Sequence, residues 1–227
     1  MLYSRLILFF TVKWFFYCEG RALKREFPFF FDCYRLFKRA YRFCNPFRIS
    51  KIHLKSIGAS DVHQYGETPL PALAKIAKEC HLSKKDRILE LGCGRGIGCF
   101  FLHQLLGCRV IGVDWVPLFI QKAREIYEVV GGDLHFICDD ISSVDLTEAT
   151  AIYLFGTCLE ESLIAALIER FKQLPCGVKI ITISYPLSDY DPAFACVKEF
   201  SVRFPWGEAD VYLNVNIKTK PIDLEGV

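Results

Sequence analysis

No two cysteines in this chain stand at C-x-x-C spacing, although eleven are scattered along its 227 residues. An odd, irregular set of that kind excludes a zinc ribbon and argues against a disulfide framework. Cys99 and Cys138 fall inside an expected helix and strand, and Cys108 lies between an expected helix and strand. Buried reduced thiols behave as small hydrophobes, so the composition points to a reducing, intracellular compartment, the cytoplasm. The five histidines lack metal-ligand spacing and no acidic cluster suggests a catalytic metal, so no metal is expected. Internal repeats and low-complexity linkers are missing too. No apolar run reaches the roughly twenty residues that span a bilayer. Leu6 to Cys18 is apolar except for Thr11 and Lys13. Its core, Leu6 to Val12, meets Lys13 where a cleaved signal peptide would have small residues.

Acids are nearly missing from the first sixty residues, which hold three Asp or Glu against twelve Lys or Arg. That segment is therefore net +9, and the remainder is −7, within an overall charge of +2. Sixteen of the thirty-three aromatics also lie there. With 52% hydrophobic residues the chain can build one domain plus an appendage, and the division is expected near Ser60: a basic aromatic appendage over 1–60 and a domain over 61–227. Phe29 to Phe43 interleaves basic and aromatic side chains, which suits anionic lipid headgroups or an acidic partner. The same segment reads equally well as a pair of helices packed on the domain with a solvated basic rim. Nucleic acid ranks third.

Beyond Ser60 short apolar runs alternate with helical patterns. A helix is expected over 69–80, capped by Thr68 with Pro at its first position and Leu70, Leu73, Ile76 and Ala77 on one face. Strands are expected over 86–91, 109–114, 134–138, 150–155 and 177–183, with helices over 96–107, 117–130 and 159–173 between them. That alternation implies βαβ crossovers and a mostly parallel sheet with helices on both faces. Val197–Phe204 and Ala209–Ile217 flank Pro205-Trp-Gly-Glu208 and read as an antiparallel hairpin.

The most informative stretch is Arg87-Ile-Leu-Glu-Leu-Gly-Cys-Gly-Arg-Gly-Ile-Gly98. A strand ends in an acid, Glu90, and runs into Gly92, Gly94 and Gly96, where the backbone can take positive φ and approach a nucleotide-sized ligand. A dinucleotide fingerprint needs glycines at positions one, three and six, and the possible windows end in Ile97 or Cys99 instead, which excludes the NAD reading. Asp114 closes the second strand, the place for a carboxylate that binds ribose hydroxyls. Asp139 and Asp140 close the third.

The segment Glu90-Leu-Gly92-Cys-Gly94-Arg-Gly96 resembles motif I of the class I S-adenosylmethionine-dependent methyltransferases, whose Rossmann-like sheet also ends in an antiparallel hairpin. Upstream, Gln64-Tyr-Gly-Glu-Thr-Pro-Leu70 is similar to the pre-motif of the non-SET histone lysine methyltransferases of the disruptor-of-telomeric-silencing type. It is equally similar to that of the lysine methyltransferases that modify the ATP synthase c-subunit and the adenine nucleotide translocase. The resemblance runs from about Gln64 to Lys218 and includes Phe204-Pro-Trp-Gly-Glu-Ala-Asp-Val-Tyr212. It implies S-adenosylmethionine as cofactor, with Tyr65, Glu67 and Thr68 over its methionine end. Glu90 and the turn Gly92-Cys93-Gly94 to Gly96 would hold its backbone, Asp114 its ribose, and Asp140, or failing that Asp139, the adenine amino group; Trp115 is counted among the cofactor contacts too.

The fourth strand, with Tyr153 and Phe155, would line the methyl transfer channel together with Tyr65. The resemblance implies a protein lysine as acceptor, whose amine these aromatics would desolvate and orient, and no general base is required. At this strand end the histone enzymes have Asn-Asn-Phe. The sequence here is closer to the Tyr-Leu-Leu of the mitochondrial branch. The chain also lacks the Asp/Asn-Pro-Pro-Tyr/Phe turn used on nucleobase amines. Its Pro175-Cys176 lies too far along the chain to be the cytosine nucleophile. A lipid or quinone methyltransferase at a membrane, and a catalytically silent binding protein of the same fold, are the rival readings.

Overall fold

The computed structural model describes residues 22–156 and 159–217. Leu6–Cys18 lies outside them. Among them the strands are β1 (Arg87–Leu91), β2 (Arg109–Asp114), β3 (Leu134–Cys138), β4 (Ala151–Leu154), β5 (Lys179–Ile183), β6 (Phe194–Phe204) and β7 (Gly207–Asn216). The helices are α1 (Phe31–Ala40), α2 (Pro46–Ser56), α3 (Leu70–Glu79), α4 (Ile97–Leu106), α5 (Pro117–Val130) and α6 (Glu161–Phe171). The seven strands form one sheet in the order β3-β2-β1-β4-β5-β7-β6. Strands β1 to β5 pair in parallel, while β7 runs antiparallel to β5 and β6. The order reverses between β1 and β4, which opens a crevice at the carboxyl ends of these strands.

Alternation along each strand sends its side chains into two cores. Ile88, Val110, Tyr153 and Ile181 face α3, α4 and α5, while Leu89, Leu91, Val113, Ile152 and Ile180 face α6. The hairpin departs slightly from expectation. Its paired strands reach Phe204 and Gly207, so the turn is the two residues Pro205-Trp206, and a register shift between Cys196 and Lys198 bends β6.

Two local expectations fail. Thr68 does not cap α3: Pro69 takes that position with no side-chain cap bond, and Pro71 sits within the first turn. The Thr68 hydroxyl instead bonds the Tyr153 hydroxyl at 2.5 Å, tying the loop before α3 to the middle of the sheet. Cys138 is exposed, because β3 is the edge strand and the residue sits at its end; Cys99 and Cys108 are buried as small hydrophobes.

The appendage is not set apart by a gap in packing. Phe30 and Phe37 are buried in the same core as α3 and α4. Phe30 meets Phe101 edge-on at 5.3 Å, and Phe37 meets Phe100 at 5.4 Å. Edge-to-face aromatic pairs contribute about 0.5–1.5 kcal/mol beyond their buried area, so α1 adds to the domain's stability. Helix α2 follows, started by Asn45, whose side chain accepts from the Phe47 and Arg48 amides. It buries only Ser50 and Leu54.

Candidate active site

The crevice holds a cavity of about 510 Å³, within the usual size range for small-molecule sites. Its floor is the turn after β1. Gly92 and Gly94 have φ of +74° and +54°, a region open mainly to glycine. The amides of Gly92 and Cys93 both donate to the Val113 carbonyl, so β2 holds the turn in place. A Cβ on Gly92 would meet nothing within 4 Å and would project into open space, whereas one on Gly94 would sit 3.0 Å from the Tyr65 ring. Gly96 plays another part: its hypothetical Cβ would lie 2.6 Å from Phe136, so it allows α4 to pack closely on the sheet.

Asp114 lines the cavity at the end of β2. One carboxylate oxygen accepts from the Gly94 amide at 2.8 Å and the other from the Val116 amide at 2.8 Å. Each oxygen keeps a lone pair, which suits hydroxyl donors. Burial raises its pKa to about 6, against the pull of those two amides. Trp115, partly exposed, and Asp140 also line the cavity. Asp139 does not; its carboxylate accepts from the Asp140 amide and the Ser143 hydroxyl, so it shapes the loop.

Tyr65 and Gly66 form the wall opposite the turn. Burial and the neighbouring Glu67 carboxylate push the Tyr65 phenol well above its ordinary pKa, so it stays neutral and donates to Glu67. Glu67 does not line the cavity and binds the Arg95 guanidinium through two bonds of 2.5 and 2.6 Å. Arg95 lies over the rings of Tyr41, at 5.0 Å, and Phe37, at 6.0 Å. Thr68, Cys93, Glu90 and Tyr153 do not line it either. Glu90 is buried beside Gly98 and accepts from the Cys99 thiol at 3.0 Å. Tyr153 is buried in β4. Phe155 does line the cavity, and stacks on Phe204, which stacks in turn on Trp206 of the hairpin turn.

The sequence reading missed the remaining wall. Ser50 and Leu54 of α2, the segment Ile57 to Ser60, and Leu159 and Glu160 ahead of α6 all face the cavity. The Ser60 hydroxyl donates to Glu160, joining the two sides. Asn45-Pro46 was the available signal, an N-cap followed by a first-turn proline.

These features fit S-adenosylmethionine. A carboxylate with free lone pairs sits at the ribose position, and the glycine turn leaves room that any side chain would fill. Residues 88–174 match a family profile described as "Methyltransferase domain". An uncharacterized methyltransferase of Schizosaccharomyces pombe is 39% identical over 67 residues, 28% of this chain and 25% of that protein. The Dictyostelium discoideum histone-lysine N-methyltransferase specific for H3 lysine-79 is 27% identical over 159 residues, 63% of this chain and 8% of that one. The chain thus spans a quarter or less of the length of these curated relatives.

Among solved structures, an RNA methyltransferase from Salinibacter ruber in complex with S-adenosyl-L-homocysteine superposes with a TM-score of 0.57 at 23% identity, over 71% of this chain and 100% of that one. Magnesium protoporphyrin IX methyltransferase from Synechocystis with bound S-adenosylmethionine gives 0.55 at 14% identity, over 76% and 97%. Residues 88–174 thus match a methyltransferase-domain profile, and the sheet around them has the fold of solved S-adenosylmethionine-dependent methyltransferases.

Proposed function

We propose that the protein is a protein-lysine N-methyltransferase. The observation that carries this reading is the charge of the cavity. Among the described residues that line it, the charged ones are Asp114, Asp140 and Glu160, all acids, and the remaining wall is mostly apolar and aromatic. With Asp114 and Asp140 taken up by the cofactor, Glu160 is the charged lining residue left to the acceptor, and a carboxylate there favours a cationic acceptor over a phosphate-bearing one. The Tyr65–Thr68 pre-motif and the H3 lysine-79 relative support the same class.

When bound, S-adenosylmethionine supplies a methyl group on a positively charged sulfur that leaves as a neutral thioether. The chain's part is to bind, orient and exclude water. Gly92, Gly94 and Asp114 would hold the cofactor end, Trp115 and Asp140 its nucleoside. Tyr65 and Phe155 would flank the incoming amine; their rings disfavour the ammonium form and leave the nitrogen a narrow line of approach. The acceptor nitrogen loses its proton to water, and proximity supplies most of the acceleration.

Purified protein is incubated with methyl-labelled S-adenosylmethionine and cell lysate, and the label is followed into protein, RNA and lipid fractions. Label recovered as methyl-lysine after acid hydrolysis of protein is the expected result. Label confined to RNA or to lipid would overturn the lysine assignment, and the lipid outcome would select the small-molecule reading.

A further inference from the structure

From Cys33 to Ser60 the chain carries seven Lys or Arg and no Asp or Glu. Part of this segment is committed to the core through Phe37. The rest leaves large apolar side chains in solvent: Phe43 is 90% exposed, Ile52 58% and Ile57 48%. Arg48, Ile52 and Lys55 follow helical spacing and share the outward face of α2, and all three are exposed. Arg42 lies over the Phe43 ring at 5.4 Å, so charge and apolar surface are presented together.

We propose that the surface formed by Arg42, Phe43 and the outer face of α2 docks on an anionic lipid bilayer. An unbroken positive charge matches acidic headgroups, and each basic residue near such a surface contributes attraction that salt screens. The isolated apolar side chains decide between partners. A bilayer interface takes up Phe and Ile to a depth of about 5–10 Å while basic side chains remain at the headgroups. A phosphate backbone gains nothing from an exposed aliphatic Ile52. The helix buries only Ser50 and Leu54, which leaves its outer face open to a partner.

The placement has a consequence for the site. Helix α2 lines the cavity through Ser50 and Leu54, and the exposed Ile57 and Gly58 lie on its rim. Docking by the outer face leaves the width of α2, about 10 Å, between the bilayer and the cavity, so the site lies near the membrane without facing into it. The docking itself does not depend on which acceptor is methylated.

The test is co-sedimentation of the full-length protein with vesicles of phosphatidylcholine alone and of phosphatidylcholine mixed with phosphatidylglycerol, at low salt and at about 1 M salt, where the Debye length falls to about 3 Å. Binding is expected only to the anionic vesicles, with about a tenfold or greater loss at high salt. Two variants, Phe43→Ser with Ile52→Ser and Arg42→Glu with Arg48→Glu, are each expected to lower partitioning about tenfold while S-adenosylmethionine affinity stays unchanged. Absence of anionic-vesicle binding overturns the proposal. So does binding that both variants retain, which would place the attachment elsewhere in the chain. Capture of RNA or an acidic polypeptide in place of vesicles would assign the face to that partner and overturn it too.

Discussion

Arg95 holds both oxygens of Glu67, at 2.5 and 2.6 Å, and so joins the glycine turn after β1 to the loop that carries Tyr65. The two side chains are 17% and 29% exposed. Arg95→Ala removes the cation, leaves a half-buried carboxylate, and strips the packing over Tyr41 and Phe37. A loss of about 2 kcal/mol in unfolding free energy is expected, together with weaker cofactor binding as Tyr65 and Gly94 lose their fixed separation. Arg95→Lys restores charge without the forked geometry and should recover only part of both. Denaturant titration and calorimetry on the three proteins measure this. A variant matching the parent in stability and affinity would reduce the pair to a surface contact.

Asp114→Asn is expected to weaken S-adenosylmethionine binding ten- to hundredfold with the fold intact, since charge-assisted bonds contribute roughly 1.5–3 kcal/mol. A pH dependence accompanies it. Hydroxyl donors favour the ionised carboxylate, and in the free protein that carboxylate takes up a proton near pH 6. Affinity should therefore be flat above about pH 6 and fall below it, and in Asp114→Asn that fall should vanish. Isothermal titration between pH 5 and 8 measures the slope; an equal slope in both proteins would assign it to another group.

The alternation of apolar runs, the glycine turn and the acids at strand ends made the parallel sheet and its crevice legible, because each is a local pattern with one dominant structural solution. Asp114 and Asp140 could be placed for the same reason: strand ends are fixed by period and register. Long-range pairings were not legible. Glu67 read as a cofactor contact, and nothing local announces that Arg95, 28 residues on, claims it. Thr68 stood in cap position, yet the Tyr153 hydroxyl 85 residues away took its side chain. The aromatics of the N-terminal segment divide between core and solvent, Phe37 buried and Phe43 exposed, and only packing against α4 separates them. Glu160 and the α2 wall belong to the cavity by tertiary placement alone.

Two glycines two residues apart should respond differently to alanine. Gly94 lines the cavity at positive φ and a Cβ there would press on Tyr65, so Gly94→Ala should cost mainly cofactor affinity, with about 1 kcal/mol of strain. Gly96 faces Phe136 and Ala123, where a Cβ at 2.6 Å has no room. Gly96→Ala should lower the melting temperature more than Gly94→Ala does. Equal effects on melting and binding in the two variants would contradict this division of the turn.

Glu90 is buried, and its pKa is raised from 4.5 to about 7, first by burial and then by the nearby Glu67 and Asp114 charges, against the Cys99 thiol bond. A carboxyl whose folded pKa lies above its unfolded value binds its proton more tightly in the folded state. Stability from this group is therefore full below about pH 4.5 and is lost as pH rises through about 7. The loss by pH 8 is about 3 kcal/mol, and Glu90→Gln, which keeps an acceptor for Cys99 without the charge, should remove it. The difference in unfolding free energy between parent and variant should be near zero at pH 4.5 and favour the variant increasingly towards pH 8. Added S-adenosylmethionine separates a structural role from a cofactor role. A cationic amine brought near Glu90 would stabilise the ionised carboxylate, so cofactor should raise the parent's melting temperature at pH 8 more than the variant's. An equal rise in both would show that Glu90 supports the turn from beneath without sensing the cofactor's charge.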